Sequence, residues 1–393
     1  MGEVNHTARK HAILSASGSS RWLNCPPSAK LEAELPDSTS IYAQEGTLAH
    51  ELCDLDVKLY IGEITKRSHS AQVRKLTKEP LYNVEMEGYA RDYLDYIISK
   101  VKSKDSVILA ETQIDFSEYV PDGFGTVDCI IIQDNTLTII DYKYGKGVAV
   151  SAQNNSQMKL YALGAIEMFG HIYDFSEVEM CIYQPRIDNI DESVETVDEL
   201  ITWGNEVVKP VAQLAIEGKG EFKAGNHCTF CKLRAKCKKL SEHCLEVIKE
   251  DFNNASGNPD TSWLMEEDIA MILERAKLIK NWLADVEEYA VNGMLDGEFE
   301  VPGYKVVEGK SIRKYRDQDK VVEVLVENGF DESVLFEKSL LPLSKMEKFV
   351  GKKKFAEILG DHIEKPRGKP TLAPLTDKRP VFVKDNDFEV VED

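Results

Sequence analysis

Residues 125–144 read GTVDCIIIQDNTLTIIDYKY, two short runs rich in Ile, Val and Thr with Asp134-Asn135 between them. Such runs are strand-like, and a turn of that composition joins them as an antiparallel hairpin. A hairpin turning at Asp134-Asn135 sets Asp128 opposite Asp141. Two carboxylates so close repel each other and raise one pKa unless a cation lies between them, which suits a divalent metal. Lys143 follows Asp141 by two residues, so the strand period puts it on the same face. A lysine there can hold a phosphate oxygen or orient an attacking water beside Mg²⁺ or Mn²⁺. Gly145 and Gly147, flanking Lys146, let the backbone approach an anionic chain. Standing alone, Asp-x-Lys on an edge strand is also the pattern of a solvated ion pair.

On either side of the hairpin the period changes. Residues 45–102 place apolar residues three and four apart and read as mainly helical. From Val107 the runs VILAETQIDF, GTVDCIIIQ and TLTIIDYKY are strands separated by turn signals such as Pro121-Asp122-Gly123. Residues 154–170 return to helical spacing, and VEMCIYQPRI from Val178 is one more strand ended by Pro185. The segment NHCTFCKLRAKCKKLSEHC follows a helical stretch over 197–216. Residues 262–297 and 317–360 are charged and helical in period, and 366–393 form a Pro- and charge-rich tail. The expected organisation is a first domain over 1–245, a mainly helical domain over 246–365 and the tail. No internal repeat is found.

The whole chain sets limits on these readings. Its 393 residues, 42% hydrophobic, are enough for two cores. No apolar run reaches the roughly 20 residues of a membrane span, and the N-terminus lacks a signal-peptide pattern, so no membrane partner and a cytoplasmic location are expected. Met1-Gly2 opens like a myristoylation signal, but His6 stands where Ser or Thr is required. A net charge of −20 is the wrong sign for coating nucleic acid indiscriminately, though a basic channel can sit on an acidic body. Eight cysteines without a secretory signal favour metal or cluster binding over disulfides.

In this setting the motifs resemble the PD-(D/E)XK nuclease superfamily, in its RecB-like branch with the CRISPR-adaptation exonucleases. GTLAH (46–50), GTVD (125–128), DYK (141–143) and QMKLY (157–161) are similar to the branch's motifs, in its order. The resemblance implies an α/β restriction-endonuclease-like core, a central mixed sheet flanked by helices, with a mainly helical C-terminal extension. It implies that His50, Asp128 and Asp141 hold Mg²⁺ or Mn²⁺, helped by the backbone carbonyl of Tyr142, and that Lys143 assists catalysis. Gln157 and Tyr161, one helical turn apart, would contact the DNA strand or orient the lysine. Glu111, on the strand before the first acid, either faces the same site or is a plain strand carboxylate. Each of these residues also has an ordinary reading: a surface histidine, a half-buried Gln/Tyr pair.

Cys228, Cys231 and Cys237 have the spacing C-x2-C-x5-C in a stretch, 221–245, carrying six Lys/Arg and two Asp/Glu. Spacing alone favours zinc, with His227, Cys244 or His243 as fourth ligand. The resemblance implies a [4Fe-4S] cluster instead, with Cys25 of SASGSSRWLNCPP as the fourth ligand. Closing a loop of about 200 residues is worth on the order of 4 to 5 kcal/mol in the chain-entropy model. Cys53, Cys129 and Cys181 lie in apolar periodic runs and read as buried thiols. In the C-terminal third, Lys310, Arg313, Lys314 and Arg316 surround Tyr315 and could touch nucleic acid or form a solvated loop. The motif order and the closing APLTDKRP (373–380) also resemble an uncharacterised family common in bacteriophages and prophages. The expectation is therefore a metal-dependent DNA exonuclease of phage recombination or replication, in a bacterial host cytoplasm, aided by a recombination or single-strand-binding partner protein. The alternative is a non-catalytic DNA-binding or scaffold protein on the same fold.

Overall fold

The period-two runs that begin at Val107 assemble into one five-stranded sheet in a computed structural model that describes residues 12–36, 40–254, 266–307, 318–327 and 351–359. Strands β1 (Val107–Asp115), β2 (Phe124–Gln133), β3 (Thr136–Tyr142), β4 (Glu177–Gln184) and β5 (Asn189–Thr196) lie in sequence order across it. Neighbours are antiparallel except β3 and β4, which are parallel. The sheet is therefore mixed. The hairpin forms in the expected register: Gln133 pairs with Thr136 around Asp134-Asn135, and Cys129 with Ile140, which leaves Asp128 facing Asp141 one step further on. Asp134 takes the left-handed conformation such a turn needs, φ 48°.

Ten helices precede, cross or follow the sheet in the described part of the first unit: α1 (Ser19–Asn24), α2 (Pro27–Ala33), α3 (Ile41–Tyr60), α4 (Lys66–Leu76), α5 (Glu85–Lys100), α6 (Ser156–Phe169), α7 (Val197–Trp203), α8 (Lys209–Glu217), α9 (Lys238–Asn254) and α10 (Glu266–Leu295). A parallel pair needs a crossover, and α6 supplies it between β3 and β4. Helices cover both faces. On one face Val127, Ile130, Ile139 and Met180 pack under α1, α6, α7 and α8; on the other Cys129, Ile131, Ile140, Tyr142 and Tyr183 pack under α3 and α5. β3 is buried along nearly its whole length, as a strand covered on both faces must be. Cys53, Cys129 and Cys181 are buried in the second of these cores, as their runs predicted.

Two details fix the helix that carries QMKLY. Asn155 caps α6, its side chain accepting from the backbone N–H groups of Gln157 (3.1 Å) and Met158 (3.4 Å). Gly164 lets α6 lie directly on β1: a Cβ there would stand 2.3 Å from Ile114 Cγ2 and 2.7 Å from the Asp115 carbonyl oxygen.

β5 is not among the predicted strands. Its sequence, NIDESVET, has three acids among eight residues and lies at the sheet edge, where acids discourage pairing with another chain. The chain falls into two compact units, Met1–Val307 and Glu308–Asp393. α9 runs through residues 245 and 246, where a domain boundary was expected. In the second unit α11 (Gln318–Glu327) and α12 (Lys352–Leu359) are described. The basic group at 310–316, the tail at 366–393 and Met1-Gly2 lie outside the described residues. No described helix is long and apolar enough to cross a membrane.

Candidate functional site

The C-terminal end of β3 brings the four motifs together. Asp128 stands at the centre: its Oδ1 lies 3.1 Å from His50 Nδ1, and its Oδ2 accepts a 2.7 Å hydrogen bond from the backbone N–H of Tyr142. His50 reaches the sheet from α3, its ring set edge-on against Tyr142 at 5.2 Å. Asp141 faces α6. Its Oδ1 accepts from Gln157 Nε2 at 2.8 Å, and its Oδ2 has the Lys143 ammonium at 2.8 Å. Gln157 closes the loop by accepting from Lys143 Nζ at 3.2 Å through Oε1. Lys143 is thus held between a carboxylate and an amide, with 28% of its side chain open to solvent.

Glu111 belongs to this group. It sits across from Asp128 in the β1–β2 ladder, between the Ala110–Cys129 and Thr112–Val127 pairs. Oxygen or nitrogen atoms of His50, Glu111 and Asp128 all lie within 4.8 Å of one another. Its backbone has φ 43°, an uncommon conformation for a residue with a Cβ and one that costs free energy wherever it is kept. Nothing in the residue pattern announced that strain.

The ionisations follow from the crowding. Burial works against the His50 imidazolium, but Asp128 and Asp141 outweigh it and hold the pKa up at about 9. Asp128 is pushed up by burial and brought below the ordinary carboxylate range by His50, the Tyr142 N–H and Lys143. Asp141 is raised, first by burial and then by Asp128, against the pull of Lys143. Burial and the nearby Asp128 carry Glu111 up to about 7. The environment thus drives the two facing acids apart, one charged and one resisting charge.

These residues fit a hard divalent cation. Two carboxylates and one imidazole converge within 4.8 Å, oxygen and nitrogen donors of the kind such an ion takes, and a third carboxylate, Asp141, stands opposite Asp128. His50, Asp128 and Glu111 are the closest grouping; Asp141 joins them across the hairpin but is engaged by Lys143 and Gln157.

The remaining expected residues divide. Tyr161 is 6% exposed, lies under Gly125 and bonds to Gln157, so it braces the amide that grips Lys143. Lys146 is exposed in the loop after β3, beside Gly145 and Gly147, whose surroundings are open. Gln184, 2% exposed, pins that loop by donating to the carbonyls of Gly145 (2.5 Å) and Val148 (2.9 Å) and accepting from Val150 N–H (3.1 Å). A glutamine before a proline gives no sign of this role in the sequence. Arg186 lies 4.5 Å over the Tyr144 ring and pairs with Glu45 at 3.2 Å, tying the start of α3 to the end of β3.

Cys25, Cys228, Cys231 and Cys237 line one narrow pocket, partly open to solvent. Burial raises the thiol pKa of Cys228, with Cys237 and Cys25 adding to it; Cys231 is pushed up to about 12 by burial, with Glu32 and the other two thiols of its segment contributing. Four thiols around one space are a donor set that fits an iron–sulphur cluster or a closed zinc site. Of the alternative fourth ligands, His227 lines the same cavity, with Nε2 2.9 Å from the Lys223 carbonyl. Cys244 is instead fully buried in an apolar cluster with Leu240 and Trp282, and His243 does not line the cavity.

Fold and site define an α/β protein with a mixed five-stranded sheet flanked by helices and a carboxylate–histidine–lysine cluster at one end of its central strand. The chain belongs to the family described as "Protein of unknown function (DUF2800)", whose profile matches residues 11–380. Among solved structures, one described as "Crystal structure of SSO0001" is 14% identical, over 56% of this chain and 96% of that one, with a TM-score of 0.24. A likeness of that size carries no argument here.

Proposed function

We propose that this protein is a PD-(D/E)XK nuclease that hydrolyses phosphodiester bonds in DNA with Mg²⁺ or Mn²⁺, most simply as an exonuclease in phage or prophage recombination. The observation that carries the reading is the closed ring Asp141–Lys143–Gln157 beside Asp128 and His50. An ordinary surface ion pair does not need a half-buried amide bonded to both partners, nor three further ionisable groups crowding it at the cost of their normal pKa values.

His50, Asp128, Asp141 and Glu111, with the Tyr142 carbonyl, would hold the ion, which supplies an activated water and offsets charge on the phosphoryl group. Lys143 remains cationic, since Asp141 outweighs the effect of its burial. Its ammonium can therefore donate to a non-bridging phosphoryl oxygen as charge builds there, while Gln157 keeps it from collapsing onto Asp141 alone. Tyr161 limits the amide's rotation. Lys146 supplies a charge for the flanking backbone. Cys25, Cys228, Cys231 and Cys237 would hold a [4Fe-4S] cluster that closes the N-terminal segment onto the cysteine-rich one.

The deciding experiment is digestion of end-labelled single- and double-stranded DNA with Mn²⁺ or Mg²⁺, native protein against Asp128→Ala. Degradation that needs the ion and is lost in the variant is the expected result. Anaerobically prepared native protein that leaves both substrates intact would sink the proposal.

A further inference from the structure

We infer that the cysteine-rich segment presents a binding surface for single-stranded nucleic acid, centred on Phe230; the inference deepens the nuclease reading by naming its substrate form. Residues 222–240 contain six Lys/Arg and no Asp/Glu, in a chain whose net charge is −20. Short 3-10 turns at Asn226–Phe230 and Arg234–Lys236 turn the apolar and thiol groups inward and leave Lys223, Lys232, Lys236, Lys238 and Lys239 exposed. Arg234 is the exception: it pairs inward with Asp285 of α10 at 2.6 Å.

Between the inward-facing cysteines, Phe230 is 71% exposed, and Phe222, on the cavity rim, is 42% exposed. A single exposed aromatic is ordinary. Two of them set among five exposed lysines, on a strongly basic strip of an acidic protein, have the chemistry of a stacking platform: rings for base faces, ammonium groups for phosphates. A protein partner would bury a broader apolar core than two rings amid lysines provide. A duplex interior hides its base faces, so the surface fits an unpaired strand.

One short helix also links the strip to the carboxylate cluster. α1 contributes Arg21 to the cysteine cavity and is followed at once by Cys25, while at its other end Ser19 Oγ lies 2.6 Å from Ser156 Oγ, the residue before Gln157. Six helical residues span only about 9 Å. One strand can therefore rest on Phe230 and be presented to the carboxylates.

The test uses fluorescence anisotropy of a short labelled oligothymidylate, in EDTA, with full-length Lys143→Ala protein as parent so that nothing is cut. Phe230→Ala in that background should weaken binding roughly five- to hundredfold, the effect of about one base left unstacked. Phe230→Trp should retain it. Lys236→Ala with Lys239→Ala should flatten the salt dependence, by about 0.7 in log–log slope for each phosphate no longer neutralised. Melting temperature and bound iron should not move, because the ring is exposed. A parent that does not bind the oligonucleotide overturns the inference, as does Phe230→Ala with parental affinity, or a loss of self-association with DNA affinity intact. Phe230-dependent binding in a native protein that cuts no DNA keeps this surface and removes the nuclease. Cleavage by native protein alongside parental affinity in Phe230→Ala does the reverse.

Discussion

Lys143 is gripped from two sides, and that makes its removal informative. Without the ammonium, Gln157 still bonds to Asp141, so the fold around the site should persist while donation to the phosphoryl group is lost. Lys143→Ala is expected to lower cleavage of end-labelled DNA by about a hundredfold or more, with binding in EDTA retained. Unchanged cleavage would take the lysine out of the mechanism. His50 and Glu111 make a second prediction. Both have folded-state pKa values raised above the unfolded ones, from 6.5 to about 9 and from 4.5 to about 7. The stability each contributes is therefore complete below its unfolded pKa and is lost as pH rises through its folded pKa. Metal-free protein should melt at progressively lower temperature from about pH 5 to pH 9, and Glu111→Gln should remove the lower half of that decline. Mn²⁺ should oppose it, since the ligands must shed their protons to bind. A flat melting profile without metal would count against the crowded ionisable group. Asp128, Asp141 and Lys143 were readable from spacing because period two and a two-residue turn dictate who faces whom. The strain at Glu111 was not, because a backbone angle leaves no trace in residue pattern when tertiary contacts impose it.

Helix α6 and strand β1 show how the site is held at distance from its scaffold. The helix sits so close to the strand that Gly164 has no room for a side chain, and that closeness brings Gln157 down to Asp141. Gly164→Ala should destabilise the protein by about 1 to 3 kcal/mol in urea unfolding, through overpacking. Gly46, inside α3 with open space around its missing Cβ, is the control. There the same change should be neutral or stabilise by about 0.5 to 1 kcal/mol, from helix propensity. Equal effects at both would mean that α6 is free to shift. The hairpin, β4 with its stop at Pro185, and α6 were all visible as periodicity. β5 was not: an edge strand shows apolar residues on one face at most, and NIDESVET alternates too weakly to stand out from a loop. Its partner β4 defines it, not its own composition.

Across the first unit, the N-terminal segment, the cysteine-rich segment and α10 meet at one place. Cys25 and Cys228 line the same cavity although they stand far apart in the sequence, and Trp282 of α10 packs against Cys228, Leu240 and Cys244. A metal group held there would be a cross-link, and its loss should be felt where no catalytic residue lies. Cys25→Ser and Cys244→Ser separate the possibilities, because both thiols are buried and only the first lines the cavity. If Cys25 is a ligand, its serine variant should lose bound metal and melt about 10 °C lower, given on the order of 4 kcal/mol from loop closure and about 2 to 4 °C per kcal/mol for a domain of this size. Cys244→Ser should keep its metal and lose only the roughly 1 to 3 kcal/mol of a hydroxyl placed among apolar side chains. The metal itself is read from the same samples: anaerobically purified protein that is brown and contains iron supports the cluster, and colourless protein with stoichiometric zinc assigns the cavity to a single ion. Zinc retained in Cys25→Ser and lost in Cys244→Ser would overturn the placement of the fourth ligand, and with it the closure of the N-terminal segment. The thiols were legible as spacing, but their gathering needed the fold, since Cys25 and Cys228 are neighbours only because α1 packs between α6 and the cysteine-rich turns.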